Sequence, residues 1–179
     1  MFFVSDIYTT PPDTFDTPLQ REIYRVLQSL HIPFERVETE EAITMEDCVS
    51  INRRLDVNMV KTLFLCNRQQ TAFYLFITTG DKPFQSKSFS NALGVSRVSF
   101  APAKLMEQML GTKIGAATIF SVLLDESTSV RIVIDRDVAA EEWYGCSDGT
   151  TTGYVKLKTA HVIHAFLPYA GHTPSMIEV

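Results

Sequence analysis

The chain has 179 residues, of which 45% are hydrophobic, and this composition suits one domain with a single core. No apolar stretch approaches the roughly 20 residues that a membrane-spanning helix needs, and the first residues lack the basic region and cleavage site of a secretory signal. The 3 cysteines lie far apart without a Cys-x-x-Cys pair, which argues against a disulfide framework or a thiolate zinc site and favours a reducing cytoplasm.

The net charge of -5 is unevenly distributed along the chain. Residues 1–52 carry 3 Lys or Arg against 10 Asp or Glu, residues 53–113 carry 9 against 3, and residues 114–179 carry 4 against 8. The basic middle third could steer a polyanion to one face, or its side chains could point in several directions once folded. A weak, salt-sensitive contact with RNA fits this balance better than a tight one.

The local signals predict helices and strands that mix without strict β-α-β alternation. An irregular lead-in over residues 1–18 comes first, and the remaining chain, 19–179, is predicted to be a single domain. In chain order the predicted elements are a helix over 18–30, a strand over 34–38, a helix over 44–55 opened by a capping-box pattern, strands over 60–66 and 72–77, a helix over 86–93, a strand over 97–100, a helix over 101–110, strands over 118–124, 130–134 and 154–157, and a helix over 159–169 capped by Thr159. This order predicts an α+β (mixed α/β) domain.

Lys61 places an ammonium at the head of an apolar run, 60–66, that is otherwise typical of a buried strand. A charge in such a run is costly unless something pairs with it. Either Lys61 is the first exposed residue of the strand and points into water, or the strand aims it into a pocket, at a substrate carbonyl, carboxylate or phosphate.

Other local features have both a functional and a purely structural interpretation. Small residues over 111–118 would let a ligand approach backbone N–H groups, as an acyl-ester site requires, or would form a plain turn. The segment 145–153, rich in hydroxyls and glycines, could line a small polar substrate or form a surface loop. Cys146 is a candidate nucleophile without an identified base. His161 and His164 have a spacing that permits shared metal binding, but no acidic or sulfur ligand accompanies them, so we predict no metal site.

A further set of segments is recognisable by its order along the chain. The set comprises Lys61-Thr-Leu-Phe-Leu65, Phe73-Tyr-Leu-Phe-Ile77, Gly80-Asp-Lys82, Leu93–Ala101, the segment that begins at Gly115, Val130–Asp135, Phe166-Leu167 and Gly171-His-Thr-Pro174. It resembles the YbaK/ProX family of prolyl-tRNA-synthetase-associated editing domains, most closely the free-standing, PrdX-like members that clear Ala-tRNA(Pro). The resemblance runs from about Leu19 onward and implies a mixed, largely antiparallel, curved sheet surrounded by helices.

The resemblance also implies site residues. The family's active-site lysine falls on Lys61. Its Gly-x-x-x-Pro loop, which shapes the pocket around the aminoacyl group, falls on Gly115, Ala116, Ala117, Thr118 and Ile119, with Ile119 in place of the proline. The family's His-Pro pair and a following Asn fall on Gly145, Cys146 and the run from Asp148 to Thr152, so that the histidine is missing. Asp148, Thr150, Thr151 and Thr152 are candidates to orient the water or the substrate amine, and the ribose 2′-hydroxyl is the alternative.

The function that the resemblance implies is trans-editing: water attacks the ester of a mischarged aminoacyl-tRNA, with Ala-tRNA(Pro) as the first expectation. Lys61 would bind the aminoacyl group or the terminal adenosine phosphate and favour the oxyanion, and the small residues 115–117 suit an alanyl side chain. No metal or organic cofactor and no membrane are implied, and prolyl-tRNA synthetase is the candidate protein partner. The alternatives are a non-catalytic sensor of amino acids or aminoacyl-tRNA, and a hydrolase for a different mischarged tRNA.

Overall fold

Two β-sheets and the helices packed on them make up the fold, in a computed structural model that describes residues 1–42, 44–124 and 129–179. The α-helices are α1 (Pro18–Ser29), α2 (Cys48–Leu55), α3 (Ser86–Leu93), α4 (Ala103–Leu110), α5 (Arg136–Ala139), α6 (Thr159–His161) and α7 (Leu167–Tyr169). The strands are β1 (Glu35–Glu38), β2 (Val60–Asn67), β3 (Phe73–Thr79), β4 (Val98–Phe100), β5 (Val130–Asp135), β6 (Trp143–Ser147), β7 (Gly153–Lys158) and β8 (Ser175–Ile177). Within the described ranges, no helix is both long and apolar enough to span a bilayer.

The strands form a three-stranded antiparallel sheet of order β1-β7-β6 and a five-stranded sheet of order β4-β2-β3-β5-β8. In the five-stranded sheet β2 pairs antiparallel with β3 and β4, whereas β5 runs parallel to both β3 and β8. A parallel bridge between Met59 and Gly145 joins the two sheets where β2 begins. The predicted α+β class with mixed, largely antiparallel sheets is confirmed.

Alternation along β2 divides its side chains between two apolar layers, because successive side chains of a strand point to opposite faces. Phe64 packs in the main core with Ile23 of α1 and Phe166, and its neighbour Leu65 packs on the other face with Phe89 of α3. Burial on both faces explains why β2 and β3 each read as a continuous apolar run in the sequence. A third, smaller cluster lies between α2 and the three-stranded sheet.

Side-chain hydrogen bonds precede or cap two of the helices. Thr17 Oγ1 accepts a hydrogen bond of 3.0 Å from the Gln20 N–H at the start of α1. The capping box before α2 is reciprocal: Thr44 Oγ1 accepts from the Asp47 N–H at 3.3 Å, and the Asp47 carboxylate accepts from the Thr44 N–H at 3.1 Å. The helix itself begins one turn later than predicted, at Cys48.

The strand predicted over 118–124 is wrong, because the structure has a 3-10 helix over Ile119–Leu123 there. Thr118 Oγ1 caps this helix by accepting from the Phe120 N–H at 3.3 Å. Ile119, Phe120 and Val122 are all buried. A short run that is buried on every side has no periodicity to separate a strand from a helix.

The closing helix spans the predicted range, but its middle, Val162–Phe166, is a π-helical turn between α6 and α7. The predicted cap at Thr159 is wrong: its side chain makes no capping bond, and its buried hydroxyl has no partner within the described part of the chain. Strands β6 and β8 were not predicted, and β6 covers the first residues of the segment interpreted as a hydroxyl-rich loop.

The residues before α1 lie along the free edge of β1. Tyr8 and Arg36 exchange backbone hydrogen bonds of 2.9 and 2.8 Å, and the Ser5 N–H donates to Glu38 O at 2.8 Å. The Arg36 guanidinium lies 4.7 Å from the centroid of the Tyr8 ring. This segment covers a strand edge that would otherwise expose unpaired backbone groups. The division into a lead-in and a domain from residue 19 stays a prediction.

Candidate active site

A pocket of about 400 Å³ lies between the two sheets, beside the beginning of β2. It is lined by residues 59–64, by parts of β6 and β7, by the loop after α4, and by the segment that precedes α2. Its lining is mainly apolar and rich in sulfur, with Met45, Cys48, Met59 and Met106 among its members. A volume of this size is typical of sites that bind small molecules or the end of a larger one.

Lys61 is the only charged residue among the described residues that line the pocket. It is half-buried in β2, and its ammonium donates a hydrogen bond to the backbone carbonyl of Lys82. No acidic side chain within the described ranges forms an ion pair with it. An ammonium has three N–H donors, so two remain for a ligand after the bond to Lys82.

Lys82 differs from Lys61 because two carboxylates neutralise its charge. Its ammonium lies 2.8 Å from a carboxylate oxygen of Asp135 and 2.6 Å from one of Asp137. It belongs to a structural cluster at the ends of β3 and β5, where the Thr78 hydroxyl also donates to Asp135 at 2.7 Å. Lys61 is thus the one cation among the described pocket-lining residues, and it forms no close ion pair there. Its charge is partly offset by Asp81, whose pKa is held below its ordinary value by hydrogen bonding first and by the charges of Lys82 and Lys61 after that.

The loop after α4 brings backbone donors to the pocket. Gly115 has a φ of +90°, a left-handed conformation that favours glycine, and both Gly115 and Ala117 line the pocket. The Ala116 N–H between them donates to Lys113 O at 3.0 Å. Within the described chain the N–H groups of Gly115 and Ala117 have no protein acceptor, so they are available to a bound oxygen.

The other predicted residues of this loop lie behind the pocket. Ala116, Thr118 and Ile119 are buried, and none of them lines the cavity. Thr118 Oγ1 donates to Cys146 Sγ at 3.7 Å. Ile119 is the first residue of the 3-10 helix, a position that tolerates proline because its N–H has no acceptor inside the helix. An isoleucine in place of the family proline is therefore compatible with the same turn.

Asp148 does not line the pocket. It is 1% exposed, and its carboxylate accepts hydrogen bonds from Gln20 Nε2 at 2.9 Å, Tyr24 OH at 2.8 Å and Thr150 Oγ1 at 2.7 Å. Burial, together with the adjacent Asp148, raises the pKa of Tyr24 far above its ordinary value, so this phenol remains a donor. These hydrogen bonds link the turn after β6 to α1.

Thr150, Thr151 and Thr152 also lie outside the pocket lining. The Thr151 and Thr152 carbonyls accept from the N–H groups of Ala42 and Thr39 at 2.8 and 2.9 Å, so the run links β7 to the segment after β1. Of the predicted site residues, the structure thus brings Lys61, Gly115 and Ala117 together, and it does not bring Asp148 or these three threonines to them.

Gly145, at the position that the resemblance assigns to a histidine, has no room for a side chain. A Cβ atom there would lie 2.8 Å from Met59 Sδ and 2.8 Å from Val57 Cγ1. Met59 lines the pocket and fills the space in front of Gly145. The thioether of Met59 therefore occupies the space that a side chain at position 145 would need.

The structure also tests the other chemical candidates. Cys146 is 2% exposed, and burial raises the pKa of its thiol to about 12, although the hydrogen bond from Thr118 opposes that shift. It is therefore protonated at neutral pH and is not an activated nucleophile. Among the described residues, no group of three or more His, Cys, Asp or Glu is arranged to hold a metal ion.

The apolar lining of the pocket was not predicted from the sequence; it includes Met45, Phe100, Met106 and Ile114. These side chains come from separate segments and carry no common spacing that would associate them. One local signal existed: Ile114 is a large apolar residue inside a loop of small and polar ones, and it is 63% exposed.

Known proteins resemble this chain in sequence and in fold. The aminoacyl-tRNA editing domain family matches residues 39–165, which is most of the chain. The prolyl-tRNA editing protein ProX of Acetoanaerobium sticklandii is 26% identical over 123 residues, covering 69% of this chain and 75% of that protein. The prolyl-tRNA synthetase associated domain-containing protein 1 of Danio rerio is 26% identical over 161 residues, covering 89% of this chain and 86% of that protein.

Solved structures show the same fold at low sequence identity. A putative trans-editing enzyme for prolyl tRNA synthetase has a TM-score of 0.64 at 14% identity, covering 91% of this chain and 98% of that one. The hypothetical protein APE2540 has a TM-score of 0.67 at 15% identity, covering 88% of this chain and 98% of that one. The family that the ordered segments predicted is confirmed: the chain belongs to the aminoacyl-tRNA editing domain family and is an aminoacyl-tRNA deacylase.

Proposed function

We propose that the protein removes alanine from mischarged tRNA(Pro) in trans, with Lys61 as the cation of its active site. Mischarged aminoacyl-tRNA is the substrate class of the family. The observation that carries the proposal is that Lys61, the one charged residue among the described residues lining the pocket, shares this cavity with Gly115 and Ala117, whose N–H groups have no acceptor within the described chain. A relative named as a prolyl-tRNA editing protein supports the choice of tRNA.

In the proposed reaction a water oxygen bonds to the ester carbonyl carbon, and the bond from that carbon to the ribose oxygen breaks. The ribose oxygen takes a proton, and the water loses one, so that the products are free amino acid and tRNA. The ammonium of Lys61 and the N–H groups of Gly115 and Ala117 stabilise the negative charge that develops on the carbonyl oxygen. Loss of one such donor typically lowers kcat by about 10² to 10³.

In this proposal the substrate itself provides the general base. No carboxylate or imidazole is found among the pocket-lining residues that the structure describes, and Cys146 is a protonated thiol. Asp148 is occupied by donors from α1 and lies outside the pocket. These placements support assistance by the 2′-hydroxyl of the terminal ribose, which is carried by the substrate next to the ester.

The pocket supports two candidate aminoacyl groups. The small side chains of Ala42, Ala101, Ala103, Gly115 and Ala117 suit alanine. The volume of about 400 Å³ and the methionine-rich part of the lining favour a second candidate, a mischarged tRNA that carries a larger apolar amino acid. A pocket excludes groups that are too large more effectively than it rejects those that are merely smaller.

The test is deacylation of Ala-tRNA(Pro) by the purified protein, beside the variants Lys61→Ala and Lys87→Ala. Lys87 is an exposed lysine outside the pocket and serves as the matched control. We expect hydrolysis to fall by at least about 100-fold in Lys61→Ala and to stay unchanged in Lys87→Ala. A panel of Ser-, Cys-, Leu- and Pro-charged tRNAs assayed in parallel identifies the preferred acyl group. Equal rates for Lys61→Ala and wild type would refute the role of Lys61.

The proposed protein partner is prolyl-tRNA synthetase, which produces the mischarged substrate. If the synthetase delivers its product, adding it should raise the deacylation rate at limiting tRNA concentrations. An unrelated synthetase of similar size is the control for this assay.

A further inference from the structure

Two large apolar side chains stand exposed at the mouth of the pocket. Phe100, at the end of β4, is 60% exposed, and Ile114, in the loop after α4, is 63% exposed. Single exposed apolar residues are common on protein surfaces, but these two also line the same cavity as Lys61. They form an apolar rim around the opening of the proposed active site.

The Phe100 ring is supported from the protein side. Its centroid lies 5.4 Å from that of Phe84, at an interplanar angle of 56°, and Phe84 in turn packs against the buried ring of Phe89 at 6.2 Å. This chain of ring contacts limits the rotation of Phe100 without covering most of its surface. A planar ring that is supported and still accessible is the arrangement that proteins use to stack nucleic-acid bases.

Two lysines are adjacent in the sequence to residues of the pocket lining. Lys104 follows Ala103, which lines the pocket, and Lys113 precedes Ile114. Both lysines are exposed, and neither forms an ion pair with an acidic side chain among the described residues. By contrast, Lys82 is held by acidic neighbours. An apolar rim with exposed lysines next to it in the sequence complements a base attached to a phosphate chain, rather than an apolar protein surface.

We propose that Phe100 is the platform on which the 3′-terminal adenine base of the tRNA stacks, with Lys104 and Lys113 close to the phosphates of the preceding nucleotides. This inference rests on the proposed function, since the acyl group must occupy the pocket for the base to reach its mouth. The ester is carried by the ribose of that same adenosine, so a carbonyl near Lys61 leaves the base only a few bonds away, at the rim. Phe100 is thus a positioning residue, which binds the part of the substrate that is common to every tRNA.

The test uses two non-hydrolysable probes: alanine joined by an amide to 3′-amino-3′-deoxyadenosine, and the same compound without its base. Titration calorimetry of the full chain gives the affinity for each. We expect wild type to bind the probe with adenine about 5- to 150-fold more tightly, as base stacking on one aromatic side chain commonly contributes. Phe100→Ala should lose this preference, and Phe100→Trp should keep it. Tyr169→Ala, which removes an exposed aromatic ring outside the pocket lining, is the control and should behave as wild type.

Equal affinity of wild type for the two probes, with active deacylation of mischarged tRNA, would overturn the platform and leave the proposed function intact. Absence of binding by either probe, together with absence of deacylation, would overturn both. For the lysines, the double variant Lys104→Gln/Lys113→Gln should reduce the slope of log affinity against log salt for tRNA by roughly 0.7 per lost phosphate contact. An unchanged slope would overturn the assignment of the two lysines. Binding of a protein partner, instead of tRNA, at Phe100 would overturn the choice of ligand.

Discussion

Replacing Asp148 by alanine should destabilise the protein strongly, although Asp148 is not in the pocket. The carboxylate is 1% exposed and accepts from Gln20 at 2.9 Å, from Tyr24 at 2.8 Å and from the Thr150 hydroxyl at 2.7 Å. Gln20 and Tyr24 are themselves buried, so water cannot easily replace the lost acceptor. Each buried donor left without an acceptor costs about 1–3 kcal/mol. With partial relaxation of the turn, we expect Asp148→Ala to lower the free energy of unfolding by about 3–5 kcal/mol.

Urea denaturation measures this change, by linear extrapolation of the free energy of unfolding to water. Tyr24→Phe removes a single donor and should cost about 1–2 kcal/mol in the wild-type background. In the Asp148→Ala background the same substitution should cost much less, because the phenol has already lost its acceptor. An Asp148→Ala protein within about 1 kcal/mol of wild type, or strictly additive effects in the double variant, would refute the network as the function of Asp148.

Three further predictions concern acid stability, packing and thiol reactivity. Burial tends to raise the pKa of Asp135, but hydrogen bonds, first from Lys82, outweigh it and hold the pKa below its ordinary 3.8. On acidification the unfolded state therefore protonates Asp135 before the folded state does. Asp135 stabilises the protein fully above its ordinary pKa of 3.8, and this contribution is lost as the pH falls from there through the lower pKa of the folded state. Lys82→Met should move the acid-unfolding midpoint, followed by circular dichroism, to higher pH, and a midpoint that does not move would contradict the assignment. Gly145→Ala should lower the free energy of unfolding, measured in urea, by about 1–3 kcal/mol, because the added methyl group meets Met59 Sδ. The same substitution should cost less in a Met59→Ala background. Equal costs in both backgrounds would argue against this clash. Burial raises the pKa of Cys146 to about 12, and the other two thiols are also buried. Ellman's reagent at about pH 8 should therefore react with the cysteines only after unfolding. A thiol that reacts rapidly in the native protein would show that the burial is wrong.

The elements with strong local signals were predictable from the sequence. The helix predicted over 18–30 forms as α1, and the strands predicted over 60–66 and 72–77 form as the antiparallel pair β2 and β3. Local physics is sufficient there, because capping groups and short hairpins are decided by neighbouring residues. The run 118–124 was not predictable in this way, since its conformation depends on the core that surrounds it.

The candidate site was predictable only where one residue type is unusual in its local setting. Lys61 stands out as a charge in an apolar strand, whereas Gly115 and Ala117 were assigned individually only through the family resemblance. In the sequence, Asp148 and Thr150–Thr152 look equally suitable as polar groups of the pocket. The carboxylate of Asp148 instead accepts from Gln20, which is 128 positions away, and no local pattern indicates that contact. The identity of buried hydrogen-bond partners is a property of the tertiary structure.

The sheet order has a consequence for how the protein folds. The antiparallel pair β2 and β3 is formed by neighbouring segments, whereas β1 finds its partner in β7, near the other end of the sequence. Contacts between distant segments form slowly, because a long loop must close first. We therefore expect the strand that carries Lys61 to be structured early and the three-stranded sheet to assemble late. The pocket lies between the two sheets, so deacylase activity should be the last property to appear on refolding and the first to be lost when β7 detaches.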